Sequence, residues 1–279
     1  MALTAATLSS APAASAFDCG TKLDRFNRAD NVLLGPSWLA RAGGIGIESK
    51  RATNPLPTEG LATFKGRKAA QACLDVRTNG AGATQYVAIV LGYAGLDNNI
   101  FVKVQDNDTD GTFERAYFYR GNNGDDLVSS GASQNLGPFT AARLHLAWLG
   151  RAVKLDIDTN FDNRPEQTVG VDGVKTAGLG SGVGMGIYGH PFADDFSVAP
   201  PETKLDSAAI KRAQGKATFT FSSRTASRFE CSIDGERFKA CDSPSTYRGL
   251  DRGRHRFRVR ARDQVGNVDP TPAQRGFSI

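Results

Sequence analysis

From Ala217 to Phe277 the chain alternates apolar and polar residues with a period of two, which confines it to β-strands. Phe219 and Phe221 share one strand face, and Phe229, Cys231 and Ile233 repeat the pattern. Asp234-Gly235 then supplies a hairpin turn in which positive φ is tolerated. Phe238 and Cys241 follow. His255, Phe257, Val259 and Ala261 face one way, while Arg254, Arg256, Arg258, Arg260 and Arg262 face the other. Short strands at this spacing, closed by Gly266-Asn267 and two prolines, predict a β-sandwich of about seven strands.

The residues of this run resemble the bacterial immunoglobulin-like, or fibronectin III-like, repeats of large exported proteins. The likeness is carried by Phe229-Glu230-Cys231-Ser232-Ile233-Asp234-Gly235, Phe238, Ala240-Cys241, Ser243-Pro244, Tyr247, Gly249-Leu250, Gly253, His255-Arg256-Phe257, Val259-Arg260-Ala261, Asp263 and Gly266-Asn267-Val268-Asp269-Pro270. It spans 200–279 and implies a spacer or adhesive module. The sequence departs from that pattern along one face, where polar neutral residues are expected and five arginines stand.

Charge is distributed unevenly. Residues 200–279 hold 16 Lys+Arg against 9 Asp+Glu, while the remainder holds 18 against 20. The basicity therefore belongs to the small domain, where an outward arginine row would attract a polyanion. The four cysteines divide evenly between the two parts, with no C-x-x-C pair or histidine cluster to hold zinc. Two disulfides are expected, Cys19–Cys73 and Cys231–Cys241, the second across one hairpin. Residues 1–16, MALTAATLSSAPAASA, end in a small-x-small Ala14-Ser15-Ala16 but lack a basic start. They read as a truncated signal peptide or as a disordered Ala/Ser tail. Together with the disulfides they suggest a secreted or cell-surface protein. No run approaches the ~20 apolar residues of a spanning helix.

Strands are expected at 84–92, 99–105, 113–119, 143–149, 152–158 and 183–188, with a turn of helix near 66–72. Pro200-Pro201 marks a boundary between a domain at 17–199 and one at 200–279. The expected fold class is all-β, two sandwiches in series. The ends of the larger domain look like the laminin-G/concanavalin A-like jelly roll. They are Leu23-Asp24-Arg25-Phe26-Asn27-Arg28-Ala29-Asp30, Leu34-Gly35, Trp38 and Gly44-Ile45-Gly46-Ile47 at the start, and Phe192-Ala193-Asp194-Asp195-Phe196-Ser197-Val198 at the close. That resemblance implies first and last strands side by side. The fold hosts lectins, carbohydrate-binding modules, glucanases and lyases, so it does not settle function.

A glycosidase needs a carboxylate pair, yet Glu48, Glu59, Glu114 and Glu166 stand apart in sequence, and no nucleophile elbow, phosphate loop or H-E-x-x-H occurs. Asp156 and Asp158 share a strand face, and His145 alternates with leucines as a satisfied core or surface residue would. Two acidic loops stand out. Asp106, Asp108 and Asp110 precede a glycine at alternate positions, and Asp158, Asn160 and Asp162 repeat the spacing. Alternate oxygens with a tight turn suit Ca²⁺, although an ordinary Asx-rich hairpin turn accounts for them equally. Tyr117 stands where an EF-hand has its bidentate Glu, so no EF-hand is implied. Phe101, Lys103 and Gln105 on one strand and Arg115, Tyr117 and Tyr119 on the next offer rings and hydrogen-bonding groups to a sugar, or simple cross-strand packing.

The expectation is a secreted, non-catalytic, monomeric binding protein. Its jelly roll recognises a glycan or cell-surface polymer, its small domain is a spacer with a polyanion-binding arginine row, and no cofactor is required, structural calcium being an option at the acidic loops. A purely structural envelope module and a polysaccharide-active glycosidase or lyase are the alternatives.

Overall fold

The computed structural model describes residues 16–56, 58–121, 125–127 and 133–279, so the reading of 1–16 lies outside it except for Ala16. The first sandwich begins with β1 (Thr21–Asp24), β2 (Trp38–Ala42), β3 (Gly46–Glu48), β4 (Arg51–Thr53), β5 (Gly60–Lys68), β6 (Gln71–Arg77), β7 (Gln85–Gly95) and β8 (Asn98–Asp106). It continues with β9 (Phe113–Arg120), β10 (Asp125–Asp126), β11 (Ser133–Phe139), β12 (Ala141–Leu149), β13 (Ala152–Asp158), β14 (Gln167–Asp172), β15 (Gly182–Tyr188) and β16 (Phe192–Val198). A back sheet runs β14-β13-β12-β6-β16-β4-β3, with β1 on β16. A front sheet runs β10-β9-β8-β7-β15-β5-β2, with β11 on β9. All pairings are antiparallel, and the inner faces meet in one apolar core that includes Leu74, Leu144, Leu146 and Ile157 from the back and Ile89, Val102, Phe118 and Met185 from the front.

The opening motif earns its place structurally. The Asp24 carboxylate accepts hydrogen bonds from both guanidinium nitrogens of Arg28 (2.7 and 2.9 Å), from Trp38 Nε1 (2.8 Å) and from the Phe26 amide. Phe26 is held at φ 50° with its ring buried against Trp38. First and last strands pair, Thr21 against Val198, as the jelly-roll resemblance implied.

The helical turn expected near 66–72 is absent: β5 runs to Lys68 and β6 starts at Gln71. Alanine is the best helix former, but helix propensity is a weak bias that tertiary context overrides, and here Ala72 and Leu74 bury between the sheets while their backbones pair with Leu146 and Leu144. The one helix among the described residues is the short 3-10 turn Arg212–Gln214.

The second sandwich comprises β17 (Lys204–Lys211), β18 (Lys216–Ser222), β19 (Arg228–Ile233), β20 (Lys239–Cys241), β21 (Ser245–Tyr247), β22 (Arg254–Arg262) and β23 (Ala273–Ser278). Its sheets are β17-β18-β21 and β20-β19-β22-β23. Phe219 and Phe257 stack between them with ring centroids 4.0 Å apart. Both expected disulfides are formed, Cys19–Cys73 (Cα–Cα 5.5 Å) and Cys231–Cys241 (5.8 Å).

A buried polar node joins the two sandwiches. Asp156 on β13 accepts hydrogen bonds from Thr168 Oγ1 (2.7 Å) and, out of the small sandwich, from Arg224 (2.8 Å). It also lies 3.0 Å from His145 Nδ1, and His145 Nε2 lies 3.0 Å from Gln71 Oε1. Gln71 in turn donates to the Pro200 carbonyl, and Phe17 covers the imidazole in a near-parallel stack at 4.7 Å. Burial pushes the Asp156 pKa up, but hydrogen bonds from His145 and Thr168 outweigh it and hold the carboxylate below its usual range. His145 is therefore a satisfied interior residue.

Replacing Phe257, fully buried in the aromatic stack, with Ala should destabilise the small sandwich by about 3–5 kcal/mol. Urea unfolding followed separately for each sandwich by residue-specific hydrogen exchange checks this. A loss below about 1 kcal/mol would mean that the stack does not organise that core.

Candidate functional site

The outer face of the front sheet is built by strand alternation. With Val87, Ile89, Val102, Val104 and Met185 turned into the core, Tyr86, Phe101, Lys103, Gln105, Tyr117, Tyr119 and Tyr188 are turned out. Register then aligns them in rows. Tyr117, Lys103, Ala88 and Gly186 lie side by side across β9, β8, β7 and β15, and Arg115, Gln105, Tyr86 and Tyr188 form the adjacent row. Gly186 must be glycine, because a Cβ there would lie 2.8 Å from the Phe101 ring. Phe101 leans into the space that the missing side chain leaves and is 2 % exposed, so it supports the face from below and does not contact solvent as expected.

Above that floor sits a tyrosine cluster around one cation. Lys103 Nζ lies 4.3 Å from the Tyr86 ring centroid, 5.0 Å from Tyr117 and 5.4 Å from Tyr119. Tyr117 stacks on Tyr119 at 5.7 Å, and Tyr86 on Tyr188 at 5.5 Å. The Tyr86 hydroxyl donates to Glu59, and burial together with that carboxylate drives its pKa upward. Burial pulls the Lys103 pKa down to about 8, against the attraction of Glu59. The Lys103, Tyr117, Tyr119 and Tyr188 side chains remain part-exposed, so rings and ammonium are open to a ligand. Arg115 donates to Ser133 Oγ and lies against Tyr117. Glu59 was read as an isolated glutamate, and Tyr86 was not singled out in the sequence. Only the register of β7 against β8 and β15 reveals Tyr86 as part of the face.

The two acidic loops close the β8–β9 and β13–β14 hairpins. In the first, carboxylate oxygens of Asp106, Asp108, Asp110 and Glu114 all lie within 4.8 Å of one another, and in the second Asp158, Asp162 and Glu166 do so. Glu114 and Glu166 were read as isolated residues, yet each falls eight positions after the first Asp of its loop, where the hairpin returns. That shared spacing was the available signal. Asn160 turns its amide to Glu166 and its oxygen to the Asp162 backbone.

On β22 the arginine row is largely occupied within its own sheet. Glu230 accepts from Arg260 (2.8 Å) and Arg262 (3.1 Å), Arg258 and Arg260 lie over Phe238, and Arg256 donates to Gln274. Arg254 stands exposed at the strand's start.

No protein-family model matches the chain, and no curated protein matches it. Among solved structures it is similar to the carbohydrate-binding module CBM66 from Bacillus subtilis (10 % identity, TM-score 0.38, 58 % of this chain and 92 % of that one). It is similar also to the metal-free VIP36 exoplasmic/lumenal domain (13 %, 0.37, 59 % and 85 %) and to peanut lectin in complex with a nine-residue peptide (9 %, 0.38, 60 % and 94 %).

A neutral fraction of about one half at pH 8 should make Lys103 acylate faster than the other lysines, since a free lysine is under ~1 % neutral there. Competitive labelling across pH with peptide mapping should show a midpoint near 8, and a midpoint near ~10.4 would contradict the buried setting. Because folding disfavours the charged form of Lys103, its influence on stability improves as pH rises from about 8 towards ~10.4.

Proposed function

We propose that this chain is a secreted, non-catalytic carbohydrate-binding protein whose ligand lies on the outer face of the front sheet. The observation that carries the proposal is the Lys103 ammonium among the rings of Tyr86, Tyr117 and Tyr119, with Gln105 and Arg115 alongside. Sugars present C–H faces that pack on aromatic rings and hydroxyls that need donors and acceptors, and a cation amid rings offers both in one place. The Lys103 and Arg115 charges favour a glycan bearing carboxylates or dense hydroxyls. Two disulfides support an oxidising, extracellular setting.

In the same reading residues 1–16 direct export, and 200–279 form an immunoglobulin-like spacer. The polyanion role expected of Arg254, Arg256, Arg258, Arg260 and Arg262 is retained only for the open end of the row, where Arg254 and Arg256 lie away from Glu230. One copy suffices for the proposed face, so the protein acts as a monomer.

A glycan array probed with the full chain tests the proposal. Tyr117→Ala and Tyr119→Ala should each weaken a positive interaction by about tenfold, the scale of an aromatic contact at the centre of a binding face. Arg254→Ser should leave it unchanged. An array without any retained glycan, or equal binding by both tyrosine variants, would remove the basis for this function.

A further inference from the structure

We infer that the β8–β9 loop is a site for a hard divalent cation of Ca²⁺ size, and that the bound ion sets the edge of the proposed sugar face. The decisive group is Asp106. Its side chain is 0 % exposed, and its Oδ2 accepts hydrogen bonds from the Gly111 amide (3.0 Å) and Gln85 Nε2 (3.2 Å). Its Oδ1 is shut away from solvent with no partner at all. Glu114 is only half-buried as a residue, but its Oε1 takes the Asn107 amide (2.7 Å) while its Oε2 is enclosed and unpartnered. A buried carboxylate oxygen without a donor is costly, and two in one cluster call for a cation.

The spacing fits. Oxygens bound to one Ca²⁺ lie 2.3–2.6 Å from it, so any two of them are no more than ~5 Å apart. Asp106, Asp108, Asp110 and Glu114 each offer an oxygen within 4.8 Å of the other three. An all-carboxylate set in a flexible turn suits Ca²⁺ better than Mg²⁺, which demands a stiffer octahedron and retains water. The second acidic loop supplies an internal control. Asp158 is equally buried, but its Oδ1 accepts the amides of Asn160, Phe161 and Asp162 and its Oδ2 that of Asn163. That carboxylate is saturated by backbone donors, so the loop closes without an ion.

The link to the sugar face runs through Asn107. Its amide is held by Glu114, its Oδ1 accepts from Gln105 and its Nδ2 donates to the Tyr117 hydroxyl (2.8 Å). An ion that fixes Asp106 and Glu114 therefore fixes Asn107, and with it Tyr117 at the rim of the Lys103 cluster. This second step rests on the glycan reading above, whereas the ion site does not.

Titration of the full, chelator-stripped chain with CaCl₂, followed by calorimetry, separates the two. The expected result is one tight Ca²⁺ per chain, with Tm raised by about 5–10 °C at a hundredfold excess over Kd. Asp108→Asn and Asp110→Asn, both at exposed positions that spare the fold, should weaken uptake at least tenfold, and Asp162→Asn should not. No heat and no Tm shift up to millimolar Ca²⁺, or uptake that survives both first-loop variants, would overturn the site. If a glycan is bound, chelation should lower that affinity in wild type but not in Tyr117→Phe, which lacks the hydroxyl that Asn107 reaches. Equal sensitivity of the two would overturn the coupling while leaving the ion site intact.

Discussion

The front sheet obeys one constraint from which its surface follows: each strand must fill the core with every second residue, so the remaining residues must share a single outer face. On β15 the outward positions Gly182, Gly184 and Gly186 are glycine, and the strand contributes no side chain to that face before Tyr188. The vacant strip is taken by a neighbour, since Phe101 reaches across from β8 to lie against Gly186. A buried phenyl floor then lets Lys103 rise among Tyr86, Tyr117 and Tyr119. A larger residue at Gly186 would displace Phe101 and disturb that cluster without touching any of its members. Strand alternation, a glycine strip and an aromatic that fills it are thus one arrangement.

Negative charge inside this protein is handled in three ways, and the differences carry information. Asp158 is neutralised by backbone N–H groups within its own turn. Asp156 is met by side chains from elsewhere, Thr168, His145 and an arginine from the other sandwich, and so becomes part of a domain junction. Asp106 has a partner for one oxygen and none for the other. The same residue type is a turn at Asp158, a rivet between sandwiches at Asp156 and a half-satisfied carboxylate at Asp106. Count and spacing of acids do not distinguish these roles; the fate of each oxygen does.

Much of the fold was legible because alternation is a local signal. β7, β8, β9, β12, β13 and β15 fall at the expected places within a few residues, and the face containing Phe257, Val259 and Ala261 is buried as its pattern required. Properties that depend on register were hidden. Glu59 meets Tyr86 from 27 positions away, and Gln71 meets His145 from 74. Phe101 could be assigned to the correct face, but its burial depends on a glycine 85 residues later in the chain, which no local pattern reports. The helical turn near 66–72 failed for the complementary reason: the local helix preference of its alanines yields to pairing with β12 and to burial between two sheets.

The junction also determines which face stays free. His145 and Asp156 point away from the core, opposite to Leu144, Leu146, Leu155 and Ile157, so they lie on the outer surface of the back sheet. Arg224 docks there, and Phe17 seals the imidazole. The small sandwich thus meets the outer face of the back sheet at this node and also reaches the end of β5, where Asn267 donates to the Lys68 carbonyl and Val265 packs against the core. Much of its arginine row is engaged internally, because Glu230 ties down Arg260 and Arg262 and Phe238 lies under Arg258 and Arg260. The ion pair that ties this module to the back sheet is buried on the Asp156 side only, since the Arg224 side chain is 37 % exposed. Breaking that pair from the Arg224 side would leave the buried Asp156 carboxylate without its cation, because burial pushes His145 towards its neutral form, and the junction would lose its only charged contact to that carboxylate among the described residues.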